Sequence, residues 1–278
     1  MKKKNLIYIK LLIMLLSLNN IDANTLNKTS TVNKHKYKII KSNGIPPHKL
    51  YNLKHNNSYK IKSQKYNAKI PLLPKINPKP IPIKNYVFGI TTTGIIIDST
   101  PIKYWLNKPA LKWGYNYFFK KNNSKIDSFN GYINKYGEYH YKGIPQTKNK
   151  FKAQQLIGYA ADGIPIYNDI IRKKNNKLTK LKPSYKIKKG YRPSGPSGKY
   201  NGLYNKDYIY IKNSGDLDIC NGKFGKTKEY KNGTYYYVLT SSYPYIPRCF
   251  RGRPDHSFTT LKKQYQKPKK QFMRNSNY

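Results

Sequence analysis

The sequence predicts a mostly β fold: a single-domain sandwich or barrel-like core with long loops, behind a disordered basic N-terminal segment. Three observations lead there. Short apolar or aromatic runs recur at close spacing. Eighteen glycines and eighteen prolines punctuate the chain. No long stretch repeats apolar residues at helical spacing, which leaves sheet-on-sheet packing as the way to bury a core.

The chain opens with Lys2, Lys3 and Lys4, then an apolar core over 11–18 and the small-residue end Ile21-Asp22-Ala23. This order predicts a signal peptide over 1–23, cut after Ala23. The apolar run is too short for a membrane span, so no transmembrane segment is expected after cleavage; an uncleaved anchor is the alternative. Residues 24–84 are dense in Lys and Asn, lack Asp and Glu, and end in Pro71, Pro74, Pro78, Pro80 and Pro82. That composition predicts an extended linker. His35, His48 and His55 fall in it, as solvated loop residues or as loose metal ligands.

The core domain is predicted over 85–258. Strands are expected at 86–90 and 95–98 around a Thr-Gly turn, with Trp105 and Trp113 as core anchors. Residues 151–157 are helix or strand, Asp162-Gly163 a turn, and 164–167 a strand. A solvated lysine-rich loop is expected over 172–182. Strands follow at 208–212 and 234–239, and 259–278 is a basic tail.

Within this domain one pattern occurs twice. Asp127, Asn130 and Gly131 precede Gly137-Glu138-Tyr139-His140-Tyr141; Asp218, Asn221 and Gly222 precede Gly233-Thr234-Tyr235-Tyr236-Tyr237. Each copy reads as an Asn-Gly turn followed by an aromatic strand. Alternation puts Tyr139 and Tyr141 on one face, with Glu138, His140 and Lys142 on the other. One reading makes these two core strands. The other makes their opposite faces a polar site.

Four blocks extend the pattern: G-E-Y-H-Y, L-I-G-Y-A-A-D-G-I-P-I-Y from Leu156, G-D-L-D-I-C-N-G-K-F-G from Gly215, and Y-P-Y-I-P-R-C-F-R-G-R-P from Tyr243. In this order, over roughly 86–258, they resemble the YHYH domain family, mostly exported bacterial proteins named for a Tyr-His-Tyr-His tetrapeptide. The resemblance names a domain rather than an activity. It implies histidines able to cluster around a metal. This chain keeps His140 and departs elsewhere. Lys142 stands for the second tetrapeptide histidine, Tyr132 for the turn histidine and Tyr236 for the echo histidine. Ser128 replaces a cysteine and Ile219 a glutamate. A lysine brought to a cation site repels the cation.

The candidate polar site is therefore His140 with Asp127, Asp162 and Asp218, and His140 is the one metal ligand carried over. Each aspartate has a second reading, as the cap of its own turn. No serine or cysteine stands in a catalytic setting, so no catalytic residue is assigned. Two classes remain. One is an exported scaffold or binding protein whose polar site has decayed, with no cofactor. The other is a metal-binding protein or metal-dependent enzyme that uses a divalent ion at a His/Asp site.

Cys220 and Cys249 are the only cysteines. An even pair in an exported chain predicts a disulfide. The periplasm, the cell envelope and the exterior all fit. The net charge is +44, from 55 basic and 11 acidic residues, and six of the basic ones are arginine. Lys, Asn, Ile and Tyr share A/T-rich codons, so base composition accounts for much of this charge. The charge still favours anionic partners, lipid or cell-wall polymers. No nucleic-acid module is recognisable, and no specific nucleic-acid partner is expected.

Overall fold

The computed structural model describes residues 26–48, 59–119, 125–146 and 152–263. The expected signal peptide over 1–23, His55 and the tail beyond 263 lie outside the described residues. No described helix is long and apolar enough to cross a membrane.

In chain order the strands are β1 (Thr29–Lys34), β2 (Tyr37–Ser42), β3 (Tyr66–Pro71), β4 (Ile81–Pro82), β5 (Gly89–Thr91) and β6 (Ile96–Ile97). Next come β7 (Gly131–Ile133), β8 (Tyr139–Tyr141), β9 (Leu156–Ala160) and β10 (Pro165–Tyr167). The hairpin β11 (Ile170–Arg172) and β12 (Leu178–Lys180) follows, then β13 (Tyr185–Ile187), β14 (Tyr208–Tyr210), β15 (Gly222–Gly225), β16 (Thr234–Val238) and β17 (Cys249–Phe250). A helix, α1 (Ser257–Lys263), ends the described chain. The fold is mostly β, as predicted, and its sheets do not close into a barrel.

The central sheet has eight strands in the order β15-β16-β10-β9-β5-β6-β8-β7. This order is a duplication. In each half an antiparallel hairpin is followed by a second hairpin, whose last strand lies parallel to the first hairpin's last strand: β6 against β8, and β10 against β16. The halves meet at β5 and β9. There Ile90 faces Tyr159, while Gly89 faces Ala160 and Thr91 faces Gly158. Their turns match as well. Thr91 N donates to Ile95 O at 2.8 Å, and Ala160 N to Ile164 O at 2.9 Å. Gly94 and Gly163 both take positive φ, 77° and 87°, which glycine adopts without steric cost. Thr92 N donates to Ile157 O at 3.0 Å and Ala161 N to Phe88 O at 2.9 Å, so the two hydrogen bonds exchange across the same axis.

Residues 26–48 and 59–84 are not the linker expected for 24–84. β1, β2 and β3 form an antiparallel sheet, and Ile40, Tyr66, Ala68 and Ile70 join the main core. The period-two pattern Tyr66-x-Ala68-x-Ile70 is plain in β3, where buried and exposed residues alternate. The surrounding Lys and Asn concealed it in a reading of composition. This sheet lies against the central sheet: Lys38 Nζ sits 5.4 Å from the centre of the Tyr159 ring.

Two further expectations need correction. Part of the lysine-rich stretch 172–182 is the hairpin β11–β12, with its polar side chains turned to solvent. The domain also runs past 258. The α1 residues Phe258 and Leu261 are buried in the core, and Ser257 Oγ accepts from Lys69 N of β3 at 3.0 Å. Burying Phe258 alone contributes about 2 kcal/mol.

Candidate functional site

The duplicated motif builds the same device twice. In the first copy Asp127 Oδ1 accepts from Phe129 N at 2.9 Å and Gly131 N at 2.7 Å. In the second Asp218 Oδ1 accepts from Cys220 N at 2.9 Å and Gly222 N at 3.1 Å. Both turns need a residue of left-handed backbone, and both use asparagine, Asn130 (φ 63°) and Asn221 (φ 55°), a residue that tolerates it. From each turn the aspartate reaches across to the aromatic strand. Tyr139 OH donates to Asp127 Oδ2 at 2.7 Å, and Tyr235 OH donates to Asp218 Oδ2 at 2.9 Å. Burial, and then the nearby carboxylate, pushes each of these phenols above its ordinary range. A Cβ added at Gly131 or Gly222 would fall on the tyrosine hydroxyl, so the spacing of glycine and tyrosine is a packing requirement.

The second tyrosine of each copy finds a different partner. Tyr237 OH donates to Asp162 Oδ2 at 2.6 Å, and the same carboxylate accepts from Gly252 N at 2.9 Å and Ile164 N at 3.2 Å. Burial pushes Asp162 up to about 6 against these three donors. Tyr141 OH lies 3.3 Å from His48 Nε2, which is also 3.4 Å from Tyr139 OH. The His48 ring stacks on Phe129 at 3.7 Å. Reading His48 as a solvated loop residue missed this contact, because nothing in the surrounding sequence marks it as packed.

His140 lies on the opposite face, as alternation requires. It is 1% exposed, opposite Tyr132 on β7, with the two rings 5.2 Å apart. Burial, then the adjacent Lys142 charge, holds its pKa well below the usual imidazole range, while Asp98 acts the other way. The ring is therefore neutral at neutral pH. Beside it Lys142 and Asp98 form a buried ion pair, Nζ to Oδ2 2.8 Å, side chains 2% and 3% exposed. Lys142 Nζ also donates to Thr100 O at 2.9 Å and Asp98 O at 3.2 Å. An ammonium has three protons to donate, and here three oxygens surround it.

The structure does not gather the four predicted site residues. Asp127 bonds to Tyr139 on the face away from His140. Asp162 and Asp218 bond to tyrosines of β16, five strands from β8, or about 24 Å at ordinary strand spacing. Each aspartate is the cap of its turn and the acceptor of a tyrosine. Tyr236 is likewise remote from His140 and belongs to the second half, where its ring meets Tyr167 at 5.3 Å. Of the residues standing where the family has histidine, Tyr132 and Lys142 are the ones beside His140. Asp98, which the sequence reading did not single out, is the acidic neighbour; a carboxylate at the end of a short strand carries no signal of what it faces. Among the described residues no three His, Cys, Asp or Glu side chains stand close enough together to hold a metal ion.

The predicted disulfide is present between Cys220 and Cys249. It ties the turn of Asp218 to β17, whose Phe250 stacks on Phe88 in the core. No curated protein and no solved structure matches the chain. The family model of YHYH proteins matches residues 67–252. That span takes in all of β3 but its first residue, both hairpin pairs and the disulfide, and on it the chain belongs to the YHYH family.

Proposed function

We propose that this protein is an exported binding scaffold whose inherited polar centre serves structure rather than chemistry. The observation that carries the reading is the Lys142 ammonium beside His140. A cation supplied by the chain occupies three oxygens, next to an imidazole with little tendency to protonate. A metal entering there would have to displace a buried, tethered charge. On the tyrosine face the carboxylates are spent on turn amides and phenols, and the His48 ring lies against Tyr139 and Tyr141.

Export is supported by the positive, apolar, small-residue order of the first 23 residues and by the disulfide. The periplasm, the envelope and the exterior remain equal readings. The charge of +44 favours polyanionic partners there.

Zinc content and N-terminal sequence test the two halves. Full-length protein dialysed against zinc and then washed is expected to retain well under one ion per chain. Replacing Lys142 by His together with Tyr132 by His should raise retention. One tightly held zinc per unmodified chain would overturn the scaffold reading. Protein recovered from the envelope or medium is expected to begin near Asn24; an intact Met1 would overturn cleavage.

A further inference from the structure

At one end of the β1–β2–β3 sheet the loop over 72–76 carries apolar side chains into water. Leu73 is 89% exposed, Ile76 43% and Leu72 37%. A lone exposed leucine means little, but three such side chains on one short loop form a patch. The loop is held in place. Leu72 N donates to Lys36 O at 2.9 Å, and Asn77 N to Arg251 O at 2.5 Å. Pro71 and Pro74 fix their own φ. A Cβ at Gly163 would collide with Pro71 O, and one at Gly252 would press on Lys75 O, so the loop packs against both glycines. Folding therefore fixes the three apolar side chains on the outside of the molecule.

Cations flank this patch. Lys34 lies opposite Tyr37, and Tyr37 opposite Pro71, which sets the β1–β2 turn beside the loop. Lys34 and Lys36 at that turn, Lys75 on the loop and Lys79 just beyond it are all exposed. Residues 24–97 contain no Asp or Glu. Among the described residues none of these four lysines is ion-paired. The carboxylates on the segments beneath the loop already hold donors. Asp162 accepts from Tyr237, Gly252 and Ile164, and Asp255 accepts from Ser257.

We propose that this loop docks the protein on a bilayer of anionic lipid. Leu72, Leu73 and Ile76 enter the boundary of the acyl chains, and the four lysines meet the headgroups. A polyanion of the cell wall would answer the lysines alone and leave the leucines in water. Three side chains are also too few for a stable protein interface, which takes about 800 Å² per partner. The proposal deepens the binding-scaffold reading and rests on it, yet its test is separate. Zinc content decides that reading, and vesicle binding decides this one.

Full-length Ile76→Cys is labelled at the new thiol with the environment-sensitive dye NBD, while the Cys220–Cys249 disulfide stays closed. The dye reads insertion of the loop, which attachment through residues 1–23 alone does not give. The labelled chain is titrated at about 0.15 M salt, where loose charge attraction is screened. The titrants are vesicles of phosphatidylcholine, vesicles with about one-third phosphatidylglycerol, and soluble polyphosphate. A saturable blue shift is expected with the anionic vesicles, at least about fivefold weaker in affinity with phosphatidylcholine alone and absent with polyphosphate. In the labelled chain Leu72→Ser with Leu73→Ser should weaken binding at least about tenfold. Lys75→Glu with Lys79→Glu should weaken it about tenfold. All four positions are exposed, so both variants keep the fold. No shift with anionic vesicles, equal binding to both vesicles, a shift matched by polyphosphate, or binding unchanged in the leucine variant would each overturn the proposal.

Discussion

Tyr139 and Tyr235 hold one bond twice, each donating its phenolic proton to the aspartate that caps the hairpin turn beside it, at 2.7 Å and 2.9 Å. They sit on strands toward opposite edges of one sheet and are related by the axis between β5 and β9. The equivalence extends to their neighbours. Tyr139 meets Tyr141 at 5.5 Å and 84°, and Tyr235 meets Tyr237 at 5.5 Å and 89°.

Equal bonds should have equal consequences. Tyr139→Phe and Tyr235→Phe are each expected to cost about 1.5 kcal/mol, the worth of a partly buried hydrogen bond to a carboxylate. Gly131→Ala and Gly222→Ala should each cost more, because the new methyl displaces the hydroxyl. Urea unfolding of the four variants checks this. A Tyr139→Phe cost several times that of Tyr235→Phe would show that the halves are not energetically alike.

Lys142 and Asp98 should be inseparable. Lys142→Met alone leaves a buried carboxylate without its cation and is expected to cost about 3–5 kcal/mol. Combining it with Asp98→Leu should recover most of that loss, since removing both charges removes the desolvation burden. A double-mutant cycle read by thermal melting measures the coupling. Additive losses would place the stabilising role outside the pair.

His140 and Asp162 should give the stability profile two opposed limbs. The folded His140 refuses a proton that the unfolded chain accepts below about 6.5. Stability is therefore lost as pH falls through that value, and His140→Gln should flatten this limb. Asp162 works the other way. Its folded carboxyl holds a proton up to about 6, against an ordinary value of 3.8, so the native state binds more protons in between. Stability from this group falls as pH rises from about 4 to 6, on the order of 3 kcal/mol, and Asp162→Asn should remove the dependence. Denaturant titrations between pH 4 and 7.5 on the three proteins separate the two limbs. His140→Ala leaves a cavity and should cost about 2 kcal/mol or more at any pH.

The disulfide closes 29 residues of sequence. In the chain-entropy picture that is worth about 3–4 kcal/mol. Cys220→Ser with Cys249→Ser should lower stability by this amount, with the Asp218 turn loosening before the Asp127 turn. Hydrogen exchange at Gly222 and Gly131 measures the order.

Much of the fold was legible because its signals are local. Asn-Gly turns, alternating aromatics and the Thr-Gly and Asp-Gly hairpins each depend on a few adjacent residues, and β5, β6, β8, β10, β14 and β16 follow them; β7 and β15 lie where the sequence reads as turn, and β9 spans 156–160 where helix or strand was expected over 151–157. The disulfide followed from the cysteine count and the expectation of export. What failed to show was nonlocal. β1 to β3 are exposed on one side and Lys-rich, so their apolar face is thin against the background. The aspartates were read as possible company for His140 because sequence cannot say which end of a sheet a turn reaches. The Lys142–Asp98 pair joins positions 44 residues apart, and only the parallel pairing of β6 with β8 brings them together.

The join between the halves has a further consequence. β5 and β9 pair in a register that is its own mirror under exchange, Gly89 with Ala160 and Thr91 with Gly158. Such an edge is isologous: the surface that recognises its sibling is built to recognise a copy of itself. A chain in which one half has folded before the other presents a self-templating strand to every neighbour in the same condition. Exchange of halves between molecules is then an alternative outcome of folding that uses the same hydrogen bonds as the monomer.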